Sequence, residues 1–191
     1  YNQIKKILDI GNNEIKNTFQ TLTTINFFLK KYPISVVTIK KKNTKFHARH
    51  SAKKRLYEYL ITNRKAKLTI DKDRSWLIKK NLDIKEMKKA IIHFLGTHDF
   101  STFRASSCTA NSPIRTITKA RIKKNKDKIS ILFESKSFLQ NQVRSMVGSL
   151  KYVGENKWKS KKIKEILKSK KRKFCAPPAP PEGLYLKKVI Y

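Results

Sequence analysis

Arg144 lies within Phe138 to Leu150, Phe-Leu-Gln-Asn-Gln-Val-Arg-Ser-Met-Val-Gly-Ser-Leu. Leu139, Val143, Met146, Val147 and Leu150 recur there at helical spacing and build one apolar face. Arg144 falls inside that face. A guanidinium stays charged at any ordinary pH, so burying it without a carboxylate or phosphate is costly. The helix alone admits two readings, an arginine that snorkels to the surface from a core helix or one that serves an ordered anion. Tyr57 read by itself is an ordinary strand aromatic. Arg49, Arg55, Arg104 and Arg115 suit phosphate contacts and equally suit a solvated surface. Asp99, in His98-Asp-Phe100, is a tempting carboxylate. His47 and His50 are three apart with no third ligand nearby, and Cys108 and Cys175 form no metal-ligand pattern. No metal is expected, and two distant cysteines suit a reduced, cytoplasmic protein.

The formal net charge of +33 attracts polyanions, of which nucleic acid is the usual one. Only nine of the 46 basic residues are arginine, and lysine, isoleucine and asparagine abound, a bias that an AT-rich genome gives any protein. Charge therefore points to an anionic partner without specifying RNA chemistry. The chain is 39% hydrophobic over 191 residues, enough for a substantial core. No apolar run approaches the ~20 residues that span a bilayer.

Around these residues, 14–31 reads as a helix with Ile15, Phe19, Leu22 and Ile25 or Asn26 along one side, ended ahead of Pro33. The β-branched run 34–39 reads as a strand, and 53–62 as a second, alternating strand. A polar loop fills 63–73. Asp83 begins a helix as N-cap, with Glu86 at capping-box spacing, Met87, Ala90, Ile91 and Phe94 on its face and Gly96 at its end. Residues 97–113 read as irregular. Residues 116–123 and 128–135 read as a hairpin whose turn uses Asn125 and Asp127. The helix carrying Arg144 follows, then a basic helix over 160–170, a stiff loop over 176–183 with four prolines, and a closing strand over 184–191. Interleaved helices and antiparallel neighbours predict an α+β domain, a mixed, largely antiparallel sheet with helices packed on one side.

Five stretches, in order, resemble one family. They are Phe46-His-Ala-Arg-His-Ser-Ala-Lys-Lys-Arg-Leu-Tyr-Glu-Tyr59, Gly96-Thr-His-Asp-Phe-Ser-Thr-Phe-Arg-Ala105, Ser112-Pro-Ile-Arg-Thr-Ile-Thr118, Phe138 to Leu150, and Ala176-Pro-Pro-Ala-Pro-Pro-Glu-Gly-Leu-Tyr-Leu186. Together they resemble the C-terminal catalytic-domain portion of the tRNA pseudouridine synthase A family. The likeness holds from Phe46 to Tyr191, is weaker over 25–39 and is absent before that, which divides the chain into 1–45, a remnant of the N-terminal half and linker, and 46–191, the C-terminal synthase domain. The resemblance implies a homodimer that turns uridine into pseudouridine in the anticodon stem-loop of tRNA, without metal or organic cofactor, with tRNA across a basic cleft. It implies that Arg144 pairs with the catalytic aspartate, which a guanidinium can do with two parallel hydrogen bonds. Tyr57 would stack on the target uracil and serve proton transfer at C5. Arg49, Arg55, Arg104 and Arg115 would meet RNA phosphates, and Asp99 would be a structural cap.

The family's nucleophile is an aspartate in a Gly-Arg-Thr-Asp-Ala-Gly signature, and no such segment occurs in this sequence. Asp9, followed two positions later by Gly11, lacks the preceding arginine and threonine and stands too close to 25–39 for the family spacing. The expectation is a chain that starts after the catalytic loop and is inactive alone. Alternatives are one half of a split synthase, a non-catalytic basic RNA-binding relative, and an unrelated ribosome-associated protein.

Overall fold

Helix α1 covers Thr18–Leu29 in the computed structural model, which describes residues 18–191. Two units are distinguished, one ending at Ser51 and the other running from Ala52 to Tyr191. In the first, Ile25 and Leu29 are buried, whereas Phe19, expected on the same face, is 75% exposed. The run 34–39 is not a strand. It has no partner strand among the described residues, and its backbone is met instead by the Asn26 amide: Nδ2 donates to the Val36 carbonyl (2.9 Å) and Oδ1 accepts from the Val36 N–H (2.8 Å). A β-branched run needs a neighbouring ladder to become a strand. Asp9 and the predicted start of the first helix lie outside the described residues.

In the second unit β1 is Lys54–Asn63, β2 is Trp76–Ile78, β3 is Gly96–Asp99, β4 is Ile114–Asn125, β5 is Lys128–Ser135 and β6 is Leu184–Ile190. They form one sheet in the order β2-β1-β5-β4-β3, with β6 also on β1. β1 is the shared strand. One edge runs antiparallel to β5, and the other is divided, with residues 54–59 antiparallel to β6 and 61–63 parallel to β2. The sheet is therefore mixed and largely antiparallel. β3 runs into the stretch 97–113 expected to be irregular, and β2 falls between the expected loop over 63–73 and the helix from Asp83, where no element is expected. β2 has three residues, and Asn63 fastens the chain beyond it, donating to the Ile78 and Lys80 carbonyls (both 2.8 Å) and accepting from the Leu82 N–H (3.2 Å).

Strand alternation decides which side faces the helices. Tyr59 and Ile61 of β1 pair with Ile131 and Ile129 of β5, and all four are buried. On β4 the parity changes at a bulge between Ile117 and Lys119, so Ile117 and Ile122 both face the core although they stand five positions apart, an odd step that regular alternation would put on opposite faces. At the β4–β5 turn the left-handed residue is Lys126 (φ 51°), while Asp127 accepts from Arg64 (3.1 Å).

Helices α2 (Ile84–Ile91), α3 (Gln142–Gly154) and α4 (Lys162–Ser169) cover that face. Asp83 caps α2 as expected, accepting from the Glu86 N–H (3.0 Å). The apolar face of α3 is buried as predicted, with Met146, Val147 and Leu150 fully inside. The helix begins at Gln142 rather than Phe138. Asn141 takes a left-handed conformation (φ 60°), tolerable for asparagine, and frees Phe138 to point elsewhere. Among the described residues no helix is long and apolar enough to cross a membrane.

Candidate active site

The segment 138–144 gathers the site. The Phe138 ring meets Tyr57 edge to face, with centroids 5.2 Å apart and planes at 87°. Tyr57 sits on β1 between Phe133 of β5 and Leu186 of β6, just past a register shift in the β1–β6 pairing. It is half-buried, so part of the ring is open. An aromatic surface fixed by a neighbouring ring is a stacking platform for a planar base.

Arg144 is the third residue of α3, in its first turn, and is also half-buried. Its Nε donates to the Ala179 carbonyl (2.6 Å) and its Nη1 to Asn141 Oδ1 (3.3 Å). The Ala179 N–H donates back to the Arg144 carbonyl (2.9 Å). Among the described residues no carboxylate lies at ion-pair distance from this guanidinium. This arginine is tethered by neutral acceptors and keeps donor capacity for an anion.

The tether is the proline-rich loop. It crosses α3 where Gly148 has no side chain, since a Cβ there would stand 2.0 Å from the Pro177 carbonyl oxygen. Farther on, the Tyr59 hydroxyl donates to the Pro180 carbonyl (2.7 Å), and Gly183 packs against the Tyr59 ring, where a Cβ would come within 2.7 Å. Burial pushes the Tyr59 phenol well above its ordinary pKa, the Glu182 charge adds to that, and Arg144 opposes it. The hydroxyl is thus a neutral donor at any working pH. Arg172 fastens the approach to the loop, donating to the Thr102 carbonyl (3.2 Å) and Ser145 Oγ (3.0 Å).

Arg104 and Arg115 are half-buried and both act on the Cys108 thiol. A backbone hydrogen bond from Ala110 chiefly holds that thiol below its usual pKa, burial opposes it, and the backbone of Gln140 and the two arginine charges support it. The loop after Arg104 is joined to 138–144 through Ala105 N–H to the Gln140 carbonyl (3.0 Å). Arg55 lies two residues before Tyr57 on β1, and its Nη1 donates to the Lys136 carbonyl. Arg49 belongs to the other unit. Asp99 Oδ1 accepts from the Ser101 N–H (2.8 Å), which caps the short turn that follows. Among the described residues no three His, Cys, Asp or Glu side chains group to hold a metal.

A family model described as tRNA pseudouridine synthase matches residues 90–191. Over 178 residues the chain is 58% identical to the tRNA pseudouridine synthase A of Pelagibacter ubique, covering 93% of this chain and 72% of that protein. The chain belongs to the tRNA pseudouridine synthase family. The like-named protein of Ehrlichia chaffeensis is 45% identical over 92% of this chain and 71% of its own, and that of Parvibaculum lavamentivorans 42% over 87% and 68%. Within this synthase-family chain, the aromatic corner, the tethered arginine and the proline-rich loop all fall inside the five stretches that carried the resemblance. Nothing in the residue types alone singles out Phe138, Tyr59 or the Ala179 carbonyl. The period-2 spacing of Tyr57 and Tyr59 was the one available signal, because it puts both rings on one side of β1.

Proposed function

We propose that this chain carries the base-binding and carboxylate-orienting part of an isomerase that converts uridine to pseudouridine in the anticodon stem-loop of tRNA. The observation that carries the reading is Arg144, locked by Ala179 and Asn141 with no ion pair among the described residues, in a synthase-family chain. In this reading the guanidinium orients the attacking aspartate, and the target uracil, swung out of the RNA stack, lies on Tyr57. The N1 glycosidic bond breaks, the uracil turns, and C5 joins the ribose, C5 giving up its proton and N1 taking one up. The reaction is an isomerisation with no net redox change, so it calls for no net oxidant or reductant. The sequence has no Gly-Arg-Thr-Asp-Ala-Gly segment, and in this reading the attacking carboxylate comes from such a segment on an N-terminal part like that of the relatives. A +33 charge suits a tRNA substrate. The resemblance adds a homodimer working in the cytoplasm.

Pseudouridine, which has the same mass as uridine, separated from it by chromatography of nucleoside digests of treated tRNA tests this reading. The chain alone should form none, and a chimera joining residues 52–191 to the aspartate-bearing N-terminal part of a relative should form it. A folded, tRNA-binding chimera that forms none would refute the reading. The second reading, a non-catalytic RNA holder, predicts that latter result.

A further inference from the structure

A cavity of about 540 Å³ opens at the far edge of the sheet, between β3 and α4. Its apolar wall includes Leu95 and Leu167, and Lys164, Lys168 and Lys170 line it. In the strand order β1-β5-β4-β3 this edge stands three strand spacings from Tyr57, roughly 14 Å at about 4.8 Å each. The cavity is thus separate from the site around Arg144.

Its charge is one-sided. Lys164 and Lys168 stand four residues apart on α4, a spacing that puts two like charges on one helix face, where they repel. Among the described residues neither forms an ion pair. The acidic residue of the lining, Asp99, is already engaged, accepting from the Ser101 N–H and standing 3.6 Å from Lys170 Nζ. The one acid on α4, Glu165, pairs with Lys162 (2.8 Å). His98 is fixed as a wall by its Nε2 contact to the Leu95 carbonyl (2.7 Å). A concave site of a few hundred Å³ with an apolar wall and uncompensated cations suits a ligand with one flat apolar part and one anionic part.

We infer that this cavity holds a nucleotide of the bound RNA away from the target uridine, its phosphate between Lys164 and Lys168 and its base against Leu95. The inference rests on tRNA being the substrate. It deepens that reading by assigning a second RNA contact at the β3 edge, a few nucleotide steps from the reacting base.

The test compares tRNA binding by the full chain, by Lys164→Ala/Lys168→Ala, and by Lys123→Ala/Lys124→Ala, two exposed β4 lysines whose loss changes net charge equally. The pocket variant should bind roughly tenfold more weakly and flatten the slope of log Kd against log salt by about 1, one phosphate contact. The control should move neither by more than a small fraction of that. Equal effects of the two variants would show that affinity merely follows net charge and would overturn the pocket, leaving the modification reading standing. Failure of the parent chain to bind tRNA would overturn that reading instead. In a second arm, acylation of Lys164 is followed with tRNA or with uridine monophosphate. Protection by tRNA alone supports the inference. Equal protection by the free nucleotide would overturn RNA as the source of the phosphate.

Discussion

Arg144 and Ala179, 35 residues apart, exchange two hydrogen bonds: the Ala179 N–H donates to the Arg144 carbonyl, and Arg144 Nε donates to the Ala179 carbonyl. The proline-rich loop and the α3 guanidinium therefore form one unit. Whatever moves the loop turns the guanidinium. Prolines restrict the loop's backbone before folding, which lowers the entropy lost in holding it there.

Gly148→Ala tests that coupling. Its Cβ would strike the Pro177 carbonyl oxygen, a backbone atom with little room to yield. The variant should lose roughly 1–3 kcal/mol of stability, as overpacked sites do. In the chimera it should also lower pseudouridine formation although Arg144 is intact. Denaturant unfolding and single-turnover rates measure the two effects, and full activity in the variant would uncouple loop from arginine.

Tyr59→Phe removes the hydroxyl that meets the Pro180 carbonyl and leaves that acceptor without this partner. A loss of about 1–2 kcal/mol is expected. At roughly 2–4 °C per kcal/mol for a chain of this size, thermal unfolding should register it. An unchanged melting temperature would show that the contact contributes nothing.

Tyr57 is expected to act through its ring and its hydroxyl separately. Tyr57→Phe keeps the ring edge on Phe138 and should leave tRNA affinity unchanged while slowing the chimera's chemical step. Tyr57→Ala removes the platform and with it roughly 1–3 kcal/mol of base stacking. Parallel measurements of tRNA affinity and single-turnover rate separate the roles, and an unaltered rate in Tyr57→Phe would remove the phenol from the mechanism.

Glu134 makes stability depend on acid pH. The Thr118 hydroxyl donates to it (2.7 Å), and this bond chiefly holds its carboxyl below the ordinary carboxylate range. Burial opposes the shift, and Lys119 and Lys54 support it from 3.7 and 3.4 Å. Its folded pKa lies below its unfolded one, so the stabilisation is complete above about pH 4.3 and is lost as pH falls through the depressed value. Glu134→Gln should be less stable than the parent at neutral pH, with the gap closing below about pH 4. A gap that stays constant down to pH 3 or so would contradict the linkage.

The fold was legible where local chemistry and burial agreed. Asp83 with Glu86, the β4–β5 hairpin and the Leu139–Leu150 stripe each carry their own signal and appear as expected. β2 was not legible, because three residues have no periodicity and Asn63 fixes them from outside. The run 34–39 misled for the converse reason, since its β-branched residues signal a strand but no ladder meets them among the described residues. At the candidate site, an arginine in an apolar stripe announced itself. Its tether to Ala179 and the Tyr59–Pro180 bond, spanning 35 and 121 residues, are products of the tertiary fold that no spacing in the chain displays.

The most direct measurement is tritium release from tRNA labelled at uridine C5, comparing the chimera with its Arg144→Ala variant at saturating protein. Release by the chimera is expected, with a loss on the order of 10²-fold or more in the variant, as misplacing a reacting group costs, and with tRNA still bound. Release at the parent rate by Arg144→Ala would contradict the claim that this guanidinium orients the attacking group.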